Sequence, residues 1–313
     1  MGEFFNAMSA VFVIFLIMMV GYLLGHLGWL TASEKRFISL YVVNIAVPIN
    51  CIVGMLGNFS REQLMSAGVM IFTGMCVVFL SLVLGGVVAT ALKLPRKRWG
   101  VFVAMAGISN TMFIGLPLTQ QLFGPVSLPA MMTYFLASSI FTQSAGVMLV
   151  ERAGGKTQGT RSVAGFVMDL LKKPPILGII ASILMLVLDV RPPQLLMDAA
   201  KYISNTVTPM ALIYCGFILY EVGLKNLRLM YGHGWLLLIR LIIAPLICVA
   251  LCAVAGITGL TREVFIVMSG LPVVAQVTVM AGAYGADEEY AAIGTSLSML
   301  GIFITIPVMM TLL

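Results

Sequence analysis

The residues of this chain best equipped for chemistry lie in the middle of apolar runs. Gly107 to Pro117 reads GISNTMFIGLP, inside a run from about Trp99 to Leu122. Ser109, Asn110 and Thr111 compete for backbone hydrogen bonds, and Gly115 and Pro117 weaken a helix. Ser269 to Gln276 reads SGLPVVAQ inside Glu263–Ala283, where Gly270, Leu271 and Pro272 interrupt and Gln276 restores polarity. A helix broken in an apolar setting exposes backbone N–H groups and the positive end of its dipole, which suits an anion. Asn110 adds two donors and an acceptor, so no formal positive charge is required. A tolerated kink is the plainer reading of either stretch alone.

The two stretches are not independent. Asn44-x-x-x-Pro48 recurs as Asn205-x-x-x-Pro209 after 161 residues, Phe123-Gly124 recurs as Tyr284-Gly285 at the same displacement, and Ser109 answers to Ser269 at 160. A nearly constant offset marks an internal repeat. At about 1.5 Å of rise per residue, Asn110 lies roughly 16 Å from Trp99 and Pro272 roughly 13 Å from Glu263. Both are then close to the middle of a hydrocarbon layer of about 30 Å.

Composition requires that layer. Hydrophobic residues make up 60% of the chain, charged residues 10%, and the mean hydropathy is +1.07. A soluble domain carries about 25% charged residues. The expected fold is an all-α polytopic membrane protein with ten transmembrane helices. The spans are about Phe4–Leu27, Arg36–Leu56, Leu64–Ala91, Trp99–Leu122, Leu128–Val150, Pro175–Leu188, Leu195–Tyr220, Leu227–Ala255, Glu263–Ala283 and Ala291–Leu313. Residues 1–150 form a first five-helix repeat, 151–173 a cytoplasmic linker, and 174–313 a second repeat. Five is odd, so the second repeat enters from the opposite side, an arrangement associated with secondary transporters. The linker ends in an apolar stretch, Val163 to Leu171, expected as a short interfacial helix. The first run lacks a basic leader and a cleavage site, and is read as a retained helix.

Basic residues set the orientation. With the N-terminus outside, 13 of the 18 Lys and Arg fall in inner loops and four in outer loops, with Arg240 inside a span. Both termini are then outside the cytoplasm. The net charge of +6 is a topology signal and not a nucleic-acid one, because the basic residues are spread over loops. The partners expected are a small organic anion and the lipid bilayer, and a homodimer is left open. Cys51, Cys76, Cys215, Cys248 and Cys252 show neither metal-ligand nor disulfide spacing and read as buried apolar residues. No cofactor or metal is expected. His26 and His233, at span ends, are expected at the interface. Gln143 and Ser144 read as interhelical bonding groups or as path-lining ones. An intramembrane enzyme would need a nucleophile with its base, a carboxylate pair or a metal motif, and none is present. A membrane sensor would need a soluble signalling domain.

At NIAVP, SNTMFIGLP and SGLPVVAQ the chain resembles the auxin efflux carrier family, including its bacterial malonate- and malate-type permeases. The resemblance covers the whole chain, and the order and spacing of the motifs carry it. It implies two inverted five-helix repeats whose broken helices 4 and 9 cross, an elevator-like movement, and a bacterial inner membrane. The family's crossing motif falls here on Asn110, Thr111, Gly115 and Pro117, and on Gly270, Leu271, Pro272 and Gln276. Asn44 and Asn205 would stand alongside, with Pro48 and Pro209 as helix breaks. Arg240, in the eighth span, either attracts the anion or snorkels to the cytoplasmic interface, and the nearby Arg228 and Lys225 favour snorkelling. No Asp or Glu lies mid-span. Potential-driven movement, co-movement of a proton, and sodium coupling through carbonyls and amides all stay open.

Overall fold

The computed structural model describes residues 2–58, 61–155, 168, 171–172, 174–223, 225 and 227–312. The interfacial helix expected at 163–171 and most of the linker fall outside these residues. The described chain is nearly all helical. Its only extended pairing is one antiparallel bridge, between Ser109 and Val273. Six helices are long and apolar enough to cross a membrane: Ala32–Gly57, Ala67–Ala91, Pro125–Ala153, Gln194–Val222, His233–Ala255 and Glu288–Thr311. Two more, Phe12–His26 and Ile176–Val187, are apolar but shorter. The runs expected as the fourth and ninth spans are each interrupted.

In chain order the helices are α1 (Gly2–His26), α2 (Ala32–Tyr41), α3 (Val47–Asn58), α4 (Arg61–Ala91), α5 (Arg96–Gly107), α6 (Leu116–Phe123), α7 (Leu128–Phe141) and α8 (Val147–Ala153). The second part holds α9 (Pro174–Val187), α10 (Gln194–Asn205), α11 (Val207–Val222), α12 (His233–Leu238), α13 (Ala244–Ala255), α14 (Gly259–Ser269), α15 (Gln276–Tyr284) and α16 (Glu288–Leu312). Thr31 opens α2 with a capping box, its hydroxyl taking the Ser33 N–H while the Glu34 carboxylate takes the Thr31 N–H at 2.8 Å.

Among the described residues four π turns interrupt the helices, at Val42–Ala46, Thr111–Gly115, Thr142–Gly146 and Ile239–Ile243. Three of them lead into a proline, Pro48, Pro117 or Pro245. Proline has no N–H to give the carbonyl four residues back, and its ring crowds that carbonyl, so the helix widens there. The recurring Asn-x-x-x-Pro is this geometry written in sequence: Asn44 and Asn205 are the residues four before Pro48 and Pro209. At the first site the chain makes a π turn between α2 and α3; at the second, α10 ends at Asn205 and α11 begins at Val207.

The helices pack mainly in two sets, which meet where α1 lies against α16 and α3 against α7. α1 lies along α11, and α3 lies against α9 and α10. α4 packs on α5, α7 and α13, while α5 and α15 both pack on α8. Two hydrophobic clusters run through the helices, the first drawing on both sets. Ile114, Leu116 and Leu271 belong to one, and Ile108, Val273 and Val277 to the other. The bridge between the interrupted helices therefore sits on the seam between clusters. Outside, large apolar side chains stay exposed around the perimeter, among them Phe72, Val87, Leu246, Val254 and Ile304, as lipid-facing helices require. His233, at the start of the span His233–Ala255, is fully buried: it accepts the Met230 N–H at Nδ1 (3.3 Å) and donates from Nε2 to the Tyr290 carbonyl (3.1 Å).

Candidate functional site

The site is made where the two interrupted helices meet. α5 stops at Gly107, and Ile108 turns extended at φ −110° and ψ 118°. α14 stops at Ser269, and the chain from Gly270 to Ala275 is not helical before α15. The two extended pieces pair through their backbones: the Asn110 N–H donates to the Pro272 carbonyl at 2.8 Å, and the Val274 N–H to the Ile108 carbonyl at 3.3 Å. Each break thus satisfies the other, which is how opened backbone is tolerated away from water. Pro272 has no N–H to donate and gives only its carbonyl to the pair. The residue facing Ser109 is Val273, four positions beyond the Ser269 that the repeat offset selects.

Beyond the bridge each chain resumes as a helix whose first N–H groups have no intrahelical acceptor. Asn110 caps the first resumption, its Oδ1 accepting the Phe113 N–H at 3.2 Å. Its own Nδ2 is fully buried and has no partner, and neither has Ser109 Oγ. The second resumption has no side-chain cap. Instead the Val273 N–H is taken by Ser298 Oγ of α16 at 3.0 Å. The breaks also interlock sterically: a Cβ on Gly115 would stand 2.6 Å from Leu271 Cδ1 and 3.0 Å from Met268 Sδ. Gly270 faces Pro245 and Met309 as closely, at 2.9 Å each.

A cavity of about 110 Å³ opens at this crossing. Its polar wall is Ser109, Asn110, Thr111, Ser139, Thr142 and Gln276, and Phe113, Phe135 and Ile176 are among its apolar lining. Beside it is a larger cleft, about 700 Å³, rimmed by Lys35, Glu221, Lys225, Arg228, Glu288 and Glu289. Ion pairs cross that rim, Lys35–Glu221 at 2.5 Å and Arg228–Glu289 at 3.0 Å. Tyr214 lines the cleft, Phe113 lines the cavity, and their rings stack with centroids 5.0 Å apart, 23° from parallel. The aromatic pair is the partition between the two spaces.

The crossing brings together Asn110, Thr111 and Gln276 on the cavity wall, with Gly115, Pro117, Gly270, Leu271 and Pro272 as the surrounding backbone. It does not bring Asn44 or Asn205 there; both side chains are exposed, and Val43 reaches the cavity in place of Asn44. Pro48 and Pro209 sit in the first turns of α3 and α11. The buried asparagine of that region is Asn50, whose Oδ1 accepts from Ser204 Oγ at 2.6 Å. Arg240 neither snorkels nor lines the cavity: it is 1% exposed, donating from Nη1 to the Ala106 carbonyl at 3.1 Å and from Nη2 to the Ser269 carbonyl. The sequence reading missed Ser139, Thr142, Ser298 and the Phe113–Tyr214 pair. Only the local run SSIFTQS, Ser138 to Ser144, within an apolar stretch pointed to the first two. Nothing local singled out the others.

The sequence pattern of a family described as membrane transport protein matches residues 6–310. The chain is similar to an uncharacterised transporter of Methanocaldococcus jannaschii, 24% identical over 297 residues, which is 91% of this chain and 92% of that protein. It is similar also to an uncharacterised transporter of Methanothermobacter thermautotrophicus, 24% identical over 279 residues, 86% of each chain. A match over nearly the whole length, on a helical protein whose two interrupted helices meet at paired SNT and GLP motifs, places the chain in the auxin efflux carrier family of membrane transport proteins.

Proposed function

We propose that the chain carries a small organic anion, a carboxylate such as malonate or malate, with the anion held at the crossing of the two interrupted helices. The observation that carries this reading is the polar wall of the crossing cavity, where Asn110 Nδ2 and Ser109 Oγ are buried without partners. Each half-helix N-terminus is equivalent to about half a positive charge, so the two together offer about one unit to a carboxylate. Asn110, whose Nδ2 has no hydrogen-bond partner within bonding geometry, orients it. The cavity's 110 Å³ is about the volume of three or four water molecules, a scale that suits a short carboxylate.

Movement follows from the two packing groups. In this reading the chain is two inverted five-helix repeats, residues 1–150 and 174–313. α4 to α8 with α12 to α16 slide as an elevator against α1 to α3 with α9 to α11. Supporting the repeat, the resumed helices α6 and α15 both end on a glycine of positive φ, Gly124 at 74° and Gly285 at 80°. The stacked partition at Phe113–Tyr214, which joins the first break to α11, is a surface that such a movement would part. In this reading both termini lie outside the cytoplasm, as the basic loops favour, and the membrane is a bacterial inner one. Single cysteines replacing exposed Val126 and Arg96, in a cysteine-free chain, should then react with an impermeant maleimide from opposite faces.

The test of the function is uptake of radiolabelled malonate and malate by proteoliposomes, with thermal-shift measurements on the purified protein. A ligand at 100 times its Kd stabilises the folded state by about 2.7 kcal/mol. Saturable uptake with a matching shift is expected. Transport of a neutral or cationic solute, with no response to any mono- or dicarboxylate, would overturn the reading.

A further inference from the structure

We propose that Arg240 is the positioning residue of the crossing: its guanidinium ties together the carbonyl ends of the two half-helices that run into the breaks, and so holds the breaks in bridging register. The side chain is 1% exposed, and among the described residues it makes no ion pair with a carboxylate. A buried cation without compensation is strongly unfavourable. Here the compensation comes from backbone. Ala106 lies in the last turn of α5 and Ser269 ends α14, so both carbonyls belong to the unsatisfied C-terminal set. Each C-terminus is equivalent to about half a negative charge, and the two together match one arginine.

The geometry is specific to arginine. Nη1 reaches one half-helix and Nη2 the other, using the rigid planar fork that a lysine lacks. The π turn at Ile239–Ile243, ahead of Pro245, carries Arg240. The two carbonyls lie only a few residues before the bridge between Ser109 and Val273. A clamp at Ala106 and Ser269 therefore fixes where the extended pieces start. Arg240 lies outside the lining of the crossing cavity, so its effect on a bound anion passes through the backbone it holds. The two half-helix carbonyl ends receive a resident cation, and the two N-terminal ends remain for a transported anion.

The test reads the register directly, and malonate binding, measured in chains that keep Ser109, is a second readout. Ser109 and Val273 are a non-hydrogen-bonded antiparallel pair, for which Cα atoms lie about 4.5 Å apart, within the range that a disulfide bridges. Cysteines are placed at both positions in a cysteine-free chain, and the rate of oxidative cross-linking is measured with Arg240 and with Arg240→Lys and Arg240→Met. Cross-linking is expected to slow at least tenfold in Arg240→Met and by less in Arg240→Lys. A control variant at the opposite end of α5, the buried Leu94→Ala in the connection before Arg96, matched for loss of melting temperature, should cross-link at the native rate. Native-rate cross-linking in Arg240→Met overturns the proposal, as does equal slowing in the control. Native-rate cross-linking with malonate binding abolished in Arg240→Met would also overturn it, making Arg240 a direct reader of substrate charge while leaving the carboxylate reading intact. Malonate failing to bind the unmutated protein, with cross-linking still dependent on Arg240, would sink the substrate reading and leave the clamp standing.

Discussion

The two breaks meet at one bridge yet are held open by different means. The first is three residues long, Ile108 to Asn110, and supplies its own cap from Asn110. The second is six residues long, Gly270 to Ala275, has no side-chain cap, and borrows Ser298 from α16 to satisfy Val273. A locally capped break keeps its shape wherever its helix goes. A break satisfied by a neighbouring helix keeps its shape only while that neighbour stays in place. The first break therefore supplies fixed recognition groups, and the second couples the site to the position of α16. The same difference explains why the polar residues of the cavity wall at the breaks are concentrated on the first: Ser109, Asn110 and Thr111 against Gln276 alone.

The largest effect that would break this comparison is a charge at the capped end. Asp can accept the Phe113 N–H as Asn does, but an ionised carboxylate at this fully buried position is costly, so Asn110→Asp should lower the melting temperature as pH rises and the new Asp ionises. The same carboxylate, about 4 Å from a bound anion, would repel it by about 4 kcal/mol at an effective dielectric near 20. Malonate affinity by calorimetry should fall about a thousandfold at a pH where the new Asp is ionised. Unchanged affinity there would move the anion away from the first break.

Gly115→Ala tests the interlock between the breaks. The added methyl would overlap Leu271 and Met268, and overpacking costs about 1–3 kcal/mol. Denaturation should show a loss in that range, together with slower transport. A stability equal to the native protein's would mean that the two breaks are not packed tightly enough to move as one.

Ser298→Ala sharpens the contrast more gently. It leaves the Val273 N–H buried without its acceptor, at a cost of about 1–3 kcal/mol. Because only the second break depends on Ser298, hydrogen exchange should accelerate at Val273 and stay native at Phe113. Acceleration at both amides would show that the first break is no more self-sufficient than the second.

The smallest effect is expected at the mirrored asparagines. Asn44 and Asn205 are exposed, so Leu at either position should change stability by about 0.5 kcal/mol or less. Malonate affinity should be unchanged within a factor of two to three. A tenfold loss of affinity in either variant would restore them to the binding site.

How legible the site was depended on how local its causes are. The first break could be read directly, because serine, asparagine, glycine and proline act on their own backbone within four residues. Pro48, Pro117 and Pro209 likewise announced helix interruptions. The role of the recurring asparagines was harder to read. Asn-x-x-x-Pro marks the carbonyl that proline cannot serve, and that marking says nothing about which way the amide points. Arg240 was visible as costly, but its partners lie 134 and 29 residues away, beyond any sequence window. Ser298 was indistinguishable from other small hydroxyls that bond to their own helix, as Ser182 does to the Gly178 carbonyl at 2.6 Å.

By itself, the sequence determined the class of solvent, the helical character of the chain and the places where the helices at Pro48 and Pro117 are interrupted. Hydropathy and proline are additive along a chain and need no partner to act. Tertiary structure decided which opened backbone groups answer each other, that Ser109 faces Val273 and not its repeat counterpart Ser269, and that a buried arginine is compensated by carbonyls. Those outcomes depend on two distant segments arriving at one point, where directional bonds choose among partners that are chemically alike.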